Sequence, residues 1–350
     1  MQKIKFIIHK ITHWEYWEYQ ILYFPLIPVW FYLCIKARSF GFFNAANPKI
    51  KNGGFLMESK KSIYDMLPKN SYPKTLFFQP KTTIETLKYE LSKQQLVFPL
   101  IAKPDIGLKG LGVKKIENIQ ELHHYSSLIP IDFLVQEFIN FEKEVGVFYV
   151  KFSNEKKGFI SGIVQKEFMT VFGNGTKTIL ELIEENPRYQ FQIKALKHNY
   201  GDTLNQILKN GEIFNLVPYG NHARGAKFTN GSHLITIKLT ETINTFFNKI
   251  PEFYFGRLDI KYNNWNDLEN GNNFSIIELN AAGSEPTHIY DPHQSVFFAW
   301  KELIRHFRYL NKISIENHKK GHPYLSFSKT WKMYTENNKI MKLLTKFQEK

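Results

Sequence analysis

Residues 256–280, GRLDIKYNNWNDLENGNNFSIIELN, form the stretch from which the fold of this chain is most readily inferred. Apolar and β-branched residues at its two ends predict two strands, at 253–262 and 274–280. The Asn- and Gly-rich loop between them, 263–273, is short enough for the strands to form an antiparallel hairpin.

Polar side chains follow a two-residue spacing on both strands, which places them on one face of the hairpin. Arg257 and Asp259 lie on the first strand, and Glu278 and Asn280 on the second. Two carboxylates and an amide oxygen suit Mg²⁺, with Mn²⁺ as an alternative, and an arginine beside them suits a phosphoryl group. Two acids alone would favour a salt-bridged sheet face, but the apolar run SIIELNAAG makes an unpaired carboxylate at Glu278 costly and favours a metal.

A second motif lies at 98–116, FPLIAKPDIGLKGLGVKKI. A strand is expected to end at Lys103, before a loop that contains Gly107, Gly110 and Gly112. Glycines allow backbone N–H groups to close around phosphates, and a lysine adds a point charge. The spacing fits neither a Rossmann turn nor a Walker A loop, and the alternative is a glycine-rich hairpin without a ligand.

A third motif, at 133–150, reads FLVQEFINFEKEVGVFYV. It predicts a buried strand, a turn, and a second strand that begins near Glu144. Such an element can offer backbone groups at 137–139 to an adenine edge and a carboxylate to ribose hydroxyls.

Taken in this order, the three motifs resemble the ATP-grasp superfamily of carboxylate–amine ligases, over about residues 55–310. D-alanine–D-alanine ligases have the same order of elements and end in a comparable R-x-D…E-x-N set. The segment FGNGTKTILELI (172–183) is similar to a GDGxxTIxELI segment of cyanophycin synthetase and of glutathione-synthesising fusion ligases. The segment GNHARGAKF (220–228) falls where those enzymes carry a comparable Asn- and Gly-containing stretch.

The resemblance implies an ATP-grasp fold and three groups of site residues, with Lys61 as a register alternative to Lys60. The residues expected to contact ATP are Lys60, Lys103, Gly107, Gly110, Gly112, Glu137, Ile139 and Glu144. The expected metal ligands are Asp259, Glu278 and Asn280. The residues expected near the transferred phosphoryl or the substrate are Arg257, Lys166 and Arg224.

The chain also departs from the D-alanine ligases. An aromatic arm stands where those enzymes carry an N-terminal α/β domain, and AAGSEPTHIYDP (281–292) differs from their pattern. Both differences argue against D-alanine as the substrate. Glu285, His288 and Asp291 are expected either to face the acceptor or to cap a loop before a helix at 293–310.

The implied reaction is ATP-dependent joining of a small-molecule carboxylate to an amine through an acylphosphate. Two alternatives stay open: an ATP-binding regulator without catalysis, and an ATP-grasp kinase that phosphorylates a small molecule. The 43% hydrophobic content predicts a globular chain, and a single cysteine fits a reducing, cytoplasmic compartment. The net charge of +14 is concentrated at the two ends, which favours an anionic membrane surface or an acidic carrier over nucleic acid. Biased composition with solvated lysine tails is the alternative.

The N-terminal arm contains HWEYWEYQILY (13–23) and an unbroken apolar run at 21–35. That run is shorter than the roughly 20 residues of a membrane-spanning helix, and Pro25 and Pro28 interrupt it. Flanking Trp, Tyr, Lys and Arg residues predict an interfacial anchor, which would place the protein peripherally on the inner face of the membrane, with a lipid-linked substrate. The alternative is an arm that packs on the body or in a homodimer.

Strands and helices mix without strict βαβ alternation, which predicts an α+β fold. Five segments are expected: an arm (1–50), an N-terminal part (51–95), a lid with the glycine-rich loop (96–140), a large subdomain with the site (141–310) and a basic tail (311–350). The tail is expected to hold an exposed helix with a small packing stripe. Further strands are predicted at 75–79, 97–103, 113–116, 133–138, 145–152 and 159–164. Further helices are predicted at 59–67, 82–93, 178–185, 189–198 and 204–209.

Overall fold

The computed structural model describes residues 12–349 except Lys109, Pro218, Tyr219 and Asn221. Helices cover antiparallel sheets throughout these residues, so the predicted α+β class is confirmed. The α-helices are α1 (Tyr19–Tyr23), α2 (Ile27–Ala37), α3 (Lys60–Met66), α4 (Ile84–Lys93), α5 (Ile119–Leu128), α6 (Ile179–Glu185), α7 (Pro187–Gln190), α8 (Ile193–Tyr200), α9 (Ile237–Phe247), α10 (Trp265–Glu269), α11 (Val296–Lys319) and α12 (Phe327–Gln348). Short 3₁₀ helices lie at Trp14–Tyr16, Phe24–Leu26, Phe42–Ala46, Lys51–Gly54, Gly201–Asn205, His222–Arg224, Ser232–Leu234 and Thr287–Tyr290.

A four-stranded antiparallel sheet has the order β1-β4-β2-β3. Its strands are β1 (Thr75–Phe78), β2 (Leu100–Pro104), β3 (Lys114–Ile116) and β4 (Phe133–Glu137). Helices α4 and α5 cover one face, where Leu87 and Leu122 are fully buried against Phe133. Both helices begin with a side-chain cap, from Thr83 and from Asn118, which satisfies a free N–H group of the first turn.

A five-stranded antiparallel sheet has the order β11-β10-β5-β6-β9. Its strands are β5 (Lys143–Val150), β6 (Phe159–Glu167), β9 (Lys227–Asn230), β10 (Phe255–Tyr262) and β11 (Phe274–Asn280). One face packs on α9 through alternate residues such as Leu258 and Ile260. The opposite face carries Phe255 in an apolar cluster with α2 and α11, and then the polar residues that follow at two-residue spacing.

A smaller unit lies between β6 and β9 in the sequence. The two-stranded antiparallel sheet of β7 (Met169–Phe172) and β8 (Ile213–Val217) packs on α6 and α8 around Ile179 and Leu196. Helix α6 begins with a reciprocal capping box between Thr178 and Glu181.

The two ends of the chain pack on the main body. Helix α2 buries Leu33 and Cys34 against α11, and α12 buries Met333 in the same apolar cluster. Helix α12 then continues to the four-stranded sheet, where Leu344 is fully buried. The helix predicted in the tail is therefore present, and its packing stripe joins two separate hydrophobic clusters.

Several predicted elements differ from the structure. The helix predicted at 204–209 is wrong: the chain there forms the 3₁₀ helix Gly201–Asn205, and no helix follows before β8 in the described residues. Helix α9 was not predicted. The apolar run of the arm belongs to a continuous helical segment, Tyr19–Ala37, which is 19 residues long. By length and composition alone, this segment is long and apolar enough to cross a membrane.

Candidate functional site

The β10–β11 hairpin brings the predicted metal ligands together. Asp259 lies directly opposite Glu278, and Arg257 lies opposite Asn280. A bulge follows Asp259, which lets the strands bend at this point. The antiparallel pairing and the shared face are those that the two-residue spacing predicted.

A chain of alternating charges extends from this hairpin across the sheet. Arg257 donates to Asp259 twice, from Nε to Oδ1 at 2.8 Å and from Nη2 to Oδ2 at 3.1 Å. Lys166 Nζ lies 3.2 Å from Asp259 Oδ2 and donates to Glu144 Oε1 at 2.7 Å. Because three of the four side chains are buried and Arg257 is partly buried, each charge depends on its neighbours in place of water.

Two glycines make room for this chain of charges. A Cβ atom at Gly146 would lie 3.1 Å from Asp259 Oδ1 and 3.2 Å from Arg257 Cδ. A Cβ atom at Gly220 would lie 2.6 Å from Lys166 Cδ, and the Gly220 N–H donates to Glu144 at 3.2 Å. Neither glycine was predicted as a site residue, because the need for space becomes visible only once the strands are paired.

The charges set the protonation states of the buried groups. Burial would raise the pKa of Asp259, but Arg257 and Lys166 outweigh burial and lower that pKa to about 2. Burial would lower the pKa of Lys166, but Asp259 and Glu144 outweigh burial and raise it. At neutral pH the carboxylate of Asp259 and the ammonium of Lys166 are therefore both ionised.

Lys103 reaches this region from the other sheet. Its Nζ donates to Tyr64 Oη at 2.7 Å, to Gln136 Oε1 at 2.8 Å and to the Ile277 carbonyl at 3.3 Å. All three acceptors are neutral, and burial lowers the pKa of Lys103 to about 8. The lysine is thus a buried cation without a paired carboxylate. A bound anion would stabilise such a side chain, because it would supply the opposite charge.

Lys60 connects the glycine-rich loop to Glu278, one of the predicted metal ligands. Its Nζ lies 3.8 Å from Glu278 Oε1 and donates to the Gly107 carbonyl at 3.0 Å. Lys61, the register alternative, forms an exposed ion pair with Asp65 instead. The geometry therefore favours Lys60 over Lys61 as the residue directed toward the site.

The glycine-rich loop contacts two other parts of the chain. Arg224 Nη2 donates to the Gly110 carbonyl at 2.7 Å. A Cβ atom at Gly107 would lie 3.2 Å from Leu344 of α12, and the Gly112 N–H donates to Gln348 Oε1 at 3.3 Å. Arg224 thus lies at the loop.

The predicted adenine segment connects the two sheets. Glu137 ends β4, and its carboxylate accepts from the Lys74 N–H at 3.4 Å. The Ile139 carbonyl accepts from Lys261 Nζ at 3.2 Å, and the ammonium of Lys261 also lies over the Phe138 ring. Burial lowers the pKa of Lys261. Lys261 was not predicted as a site residue, although its two-residue spacing from Asp259 put it on the same face.

Of the residues after Asn280, Asp291 takes the predicted capping role, and His288 and Glu285 make other contacts. Asp291 accepts from the backbone N–H groups of Asn230 at 2.7 Å and His293 at 2.8 Å, which is the capping role. His288 lies 3.2 Å from the Glu302 carboxylate. Glu285 is directed toward the arm instead, where Tyr23 donates to its carboxylate.

The donor set fits a hard divalent cation in its chemistry. Among the described residues no group of three or more His, Cys, Asp or Glu side chains could hold a metal ion. The candidate set consists of the carboxylates of Asp259 and Glu278 and the amide of Asn280, whose Nδ2 lies 3.5 Å from Asp259 Oδ2. A site of one or two carboxylates completed by phosphate oxygens and water is typical of Mg²⁺.

Comparisons with known proteins give similarity at the level of solved structures. No protein-family model and no curated protein matches the sequence. A bifunctional glutathione synthetase from Pasteurella multocida is 14% identical, with a TM-score of 0.35, over 73% of this chain and 38% of that one. VanG D-Ala:D-Ser ligase from Enterococcus faecalis is 15% identical, with a TM-score of 0.42, over 76% of this chain and 62% of that one. D-alanine–D-alanine ligase from Bacillus anthracis is 13% identical, with a TM-score of 0.42, over 75% of this chain and 69% of that one.

These solved structures include the kinds of ligase that the sequence motifs resemble. This chain spans less than two thirds of the first two of them.

Proposed function

We propose that this chain is an ATP-grasp ligase that uses MgATP to join a carboxylate to an amine. The observation that carries the proposal is the meeting of opposite charges between the two sheets. Four cations, Lys60, Lys103, Lys166 and Arg257, surround the carboxylates of Asp259, Glu278 and Glu144. Among these cations, Lys103 is buried and held only by neutral acceptors, and such a cation suits a polyphosphate with its metal ion better than it suits a salt-bridged sheet face, which would pair its charges.

Each group has a part in the proposed reaction. Asp259, Glu278 and Asn280 would hold Mg²⁺, which supplies neutralisation of charge on the phosphate oxygens. Lys103 and Lys60 would hold the phosphates, and Arg257 and Lys166 would stabilise charge that develops on the transferred phosphoryl group. The backbone at 137–139 would read adenine, and Glu144 would accept from ribose.

The proposed chemistry has two steps. A substrate carboxylate oxygen attacks the γ-phosphorus, and ADP leaves with the electrons of the broken P–O bond. The amine nitrogen then attacks the acylphosphate carbonyl, phosphate leaves, and the amine gives up a proton. The protein needs no covalent nucleophile, since its role is to orient the reactants and exclude water.

Glu278→Gln is the sharpest test. Glu278 is more than a third exposed and has one distant cation partner, so the variant is expected to fold while losing ADP release over a panel of acids and amines. The matched control is Glu241→Gln, an exposed carboxylate of α9 whose partner is Lys157. ADP release by Glu278→Gln at the rate of the control would contradict the metal assignment.

The same panel separates the alternatives. MgATP binding without ADP release would favour a regulator, and a stable phosphoester product would favour a kinase. An amide with free phosphate would support the ligase.

We further propose that the protein associates peripherally with an anionic membrane surface through an aromatic ridge, defined as Phe31, Phe40 and Phe327. All three rings are at least half exposed, and consecutive ring centroids are 6.2 Å apart. Lys36 and Arg38 are exposed on the same segment. A contiguous exposed apolar surface with basic neighbours is typical of interfacial binding.

The test of the ridge is co-sedimentation with vesicles of phosphatidylglycerol and phosphatidylcholine. The double variant Phe31→Ser/Phe327→Ser is expected to lose partitioning. The control Phe172→Ser changes an equally exposed ring on β7, away from the ridge. Equal partitioning of the wild type and the double variant would refute the role of the ridge, and no partitioning of the wild type would refute membrane association. A stable dimer in sedimentation that the double variant abolishes would favour a homodimer through the same surface.

A further inference from the structure

A pocket of about 410 Å³ lies between the N-terminal helical segment and the end of β10. Its walls are mostly apolar and include Leu26, Trp30 and Phe31 on the arm and Phe307 on α11. The volume falls within the range of roughly 300–1,000 Å³ that is typical of small-molecule sites. None of the motifs that predicted the nucleotide site explains this pocket.

Residues that line the pocket are close in sequence to the proposed catalytic residues. Phe255 lines the pocket and lies two residues before Arg257 on β10, so the two side chains share a face. Two residues of strand correspond to about 7 Å. The floor of the pocket, which includes Ala282 and Glu285, follows the metal ligand Asn280 along the chain.

A polar contact joins the pocket to the site directly. Arg257 Nη1 donates to the Glu285 carbonyl at 2.9 Å. The Glu285 carboxylate accepts from the hydroxyls of Tyr23 and Tyr290. Burial raises the pKa of both tyrosines well above the usual value, so both stay hydroxyl donors. The pocket is therefore mostly apolar, and Glu285, which lines it, connects it to Arg257.

The mouth of the pocket opens beside exposed apolar side chains. Ile27 and Phe31 line the pocket, yet about half of each side chain is exposed. An apolar cavity with an apolar entrance and a polar end at the reacting groups is complementary to an amphiphile.

We propose that this pocket binds the hydrocarbon chain of an amphiphilic substrate, such as an alkanoic acid or an alkylamine, whose polar end reaches Arg257. The inference rests on the proposed ligase function for the identity of the polar end. It assigns the substrate class that the nucleotide motifs leave open, and it explains why an aromatic arm covers this edge of the sheet.

The test measures binding of straight-chain alkanoates from hexanoate to dodecanoate, below their micelle concentrations, by calorimetry. Affinity is expected to rise by about fourfold per buried methylene until the pocket is full. Ile27→Glu places a charge at the mouth and is expected to lower dodecanoate affinity at least tenfold. Ile35→Glu is the matched control, since Ile35 is an exposed isoleucine of the same helix and does not line the pocket.

A second readout covers the case in which Ile27→Glu folds poorly. Trp30 lines the pocket, so 12-bromododecanoate is expected to quench its fluorescence saturably. Trp30→Phe is expected to reduce the quenched amplitude while binding persists. Quenching that does not saturate, or equal affinities of Ile27→Glu and Ile35→Glu, would overturn the proposal.

MgATP binding is measured on the same samples. Nucleotide binding without alkanoate binding would overturn the pocket assignment and leave the ligase standing. Alkanoate binding without nucleotide binding would overturn the ligase, and with it the role of the pocket as a substrate site. Binding of both, with alkanoate- or alkylamine-dependent ADP release, is the result expected.

Discussion

Lys103 should make nucleotide affinity fall with rising pH. The free protein holds this ammonium among neutral acceptors, and burial lowers its pKa to about 8. A bound triphosphate favours the charged form and raises that pKa again. Nucleotide binding above pH 8 must therefore be coupled to protonation of Lys103.

The magnitude follows from the pKa. With a pKa of about 8, roughly 76% of Lys103 is charged at pH 7.5 and roughly 9% at pH 9.0, so MgATP affinity should fall about eightfold over this interval. At pH 8.5 the binding of one nucleotide should take up about 0.8 proton. Both quantities are measurable by calorimetric titration, in buffers that differ in their heat of ionisation.

Lys103→Arg is the reference, because a guanidinium stays charged throughout this interval. Its affinity should lack the eightfold decline, and its proton uptake at pH 8.5 should be lower by about 0.8. An identical dependence of MgATP affinity on pH in the wild type and in Lys103→Arg would refute the reasoning.

The effect of rising pH on the free energy of unfolding has the opposite sign to its effect on nucleotide affinity. Between pH 8 and about 10.5 the unfolded chain binds a proton that the folded chain does not, so the free energy of unfolding should rise with pH across this window. Lys103→Met should remove this contribution in urea denaturation measured at several pH values.

Three further perturbations follow from the packing. Asp259→Asn leaves Arg257 and Lys166 buried without their shared carboxylate and should lower the free energy of unfolding by about 3–5 kcal/mol in urea denaturation. In the wild type, the contribution of Asp259 to stability should be lost as pH falls from about 4 through its pKa of about 2. A wild type that is no more sensitive to acid in that window than the variant would contradict this. Gly256→Ala places a Cβ atom 2.3 Å from the Asn280 carbonyl and should lower thermal stability by about 1–3 kcal/mol, whereas an unchanged melting temperature would show that β10 and β11 can separate freely. Leu344→Ala removes a fully buried side chain and should lower the free energy of unfolding by about 2–5 kcal/mol, while Leu343→Ala, at an exposed position, should change it by less than about 0.5 kcal/mol; equal effects would contradict the packing of α12.

The sequence was most informative where chemistry and periodicity coincided. Arg257, Asp259, Glu278 and Asn280 could be placed on one face because strand periodicity is two residues and the loop between them is short. Lys103 could be placed near the end of a strand because a glycine-rich loop follows it, and β2 extends one residue further, to Pro104. The roles of these residues stay predictions until a ligand is measured.

Other features could not be read from the sequence, because they depend on tertiary contacts. Helix α9 contains three threonines and an asparagine in eleven residues, which weakens its intrinsic helix signal, and burial of Leu239 and Ile243 on the sheet stabilises it. Gly146 and Gly220 lie within quoted motifs, but the motifs do not show why these positions must be glycine, because the side chains that approach them come from neighbouring segments. The pocket beside Phe255 is formed by segments more than two hundred residues apart.

Helix α12 packs against both the five-stranded and the four-stranded parts of the molecule. Met333 is anchored on the five-stranded side and Leu344 on the four-stranded side, and eleven residues of helix separate them by about 16 Å. Any hinge motion that changes the distance between the sheets must shift, bend or detach this helix. A spectroscopic label near its carboxyl end, which contacts the glycine-rich loop, would thus report a change in the distance between the sheets, and a bulky fusion there would slow that motion.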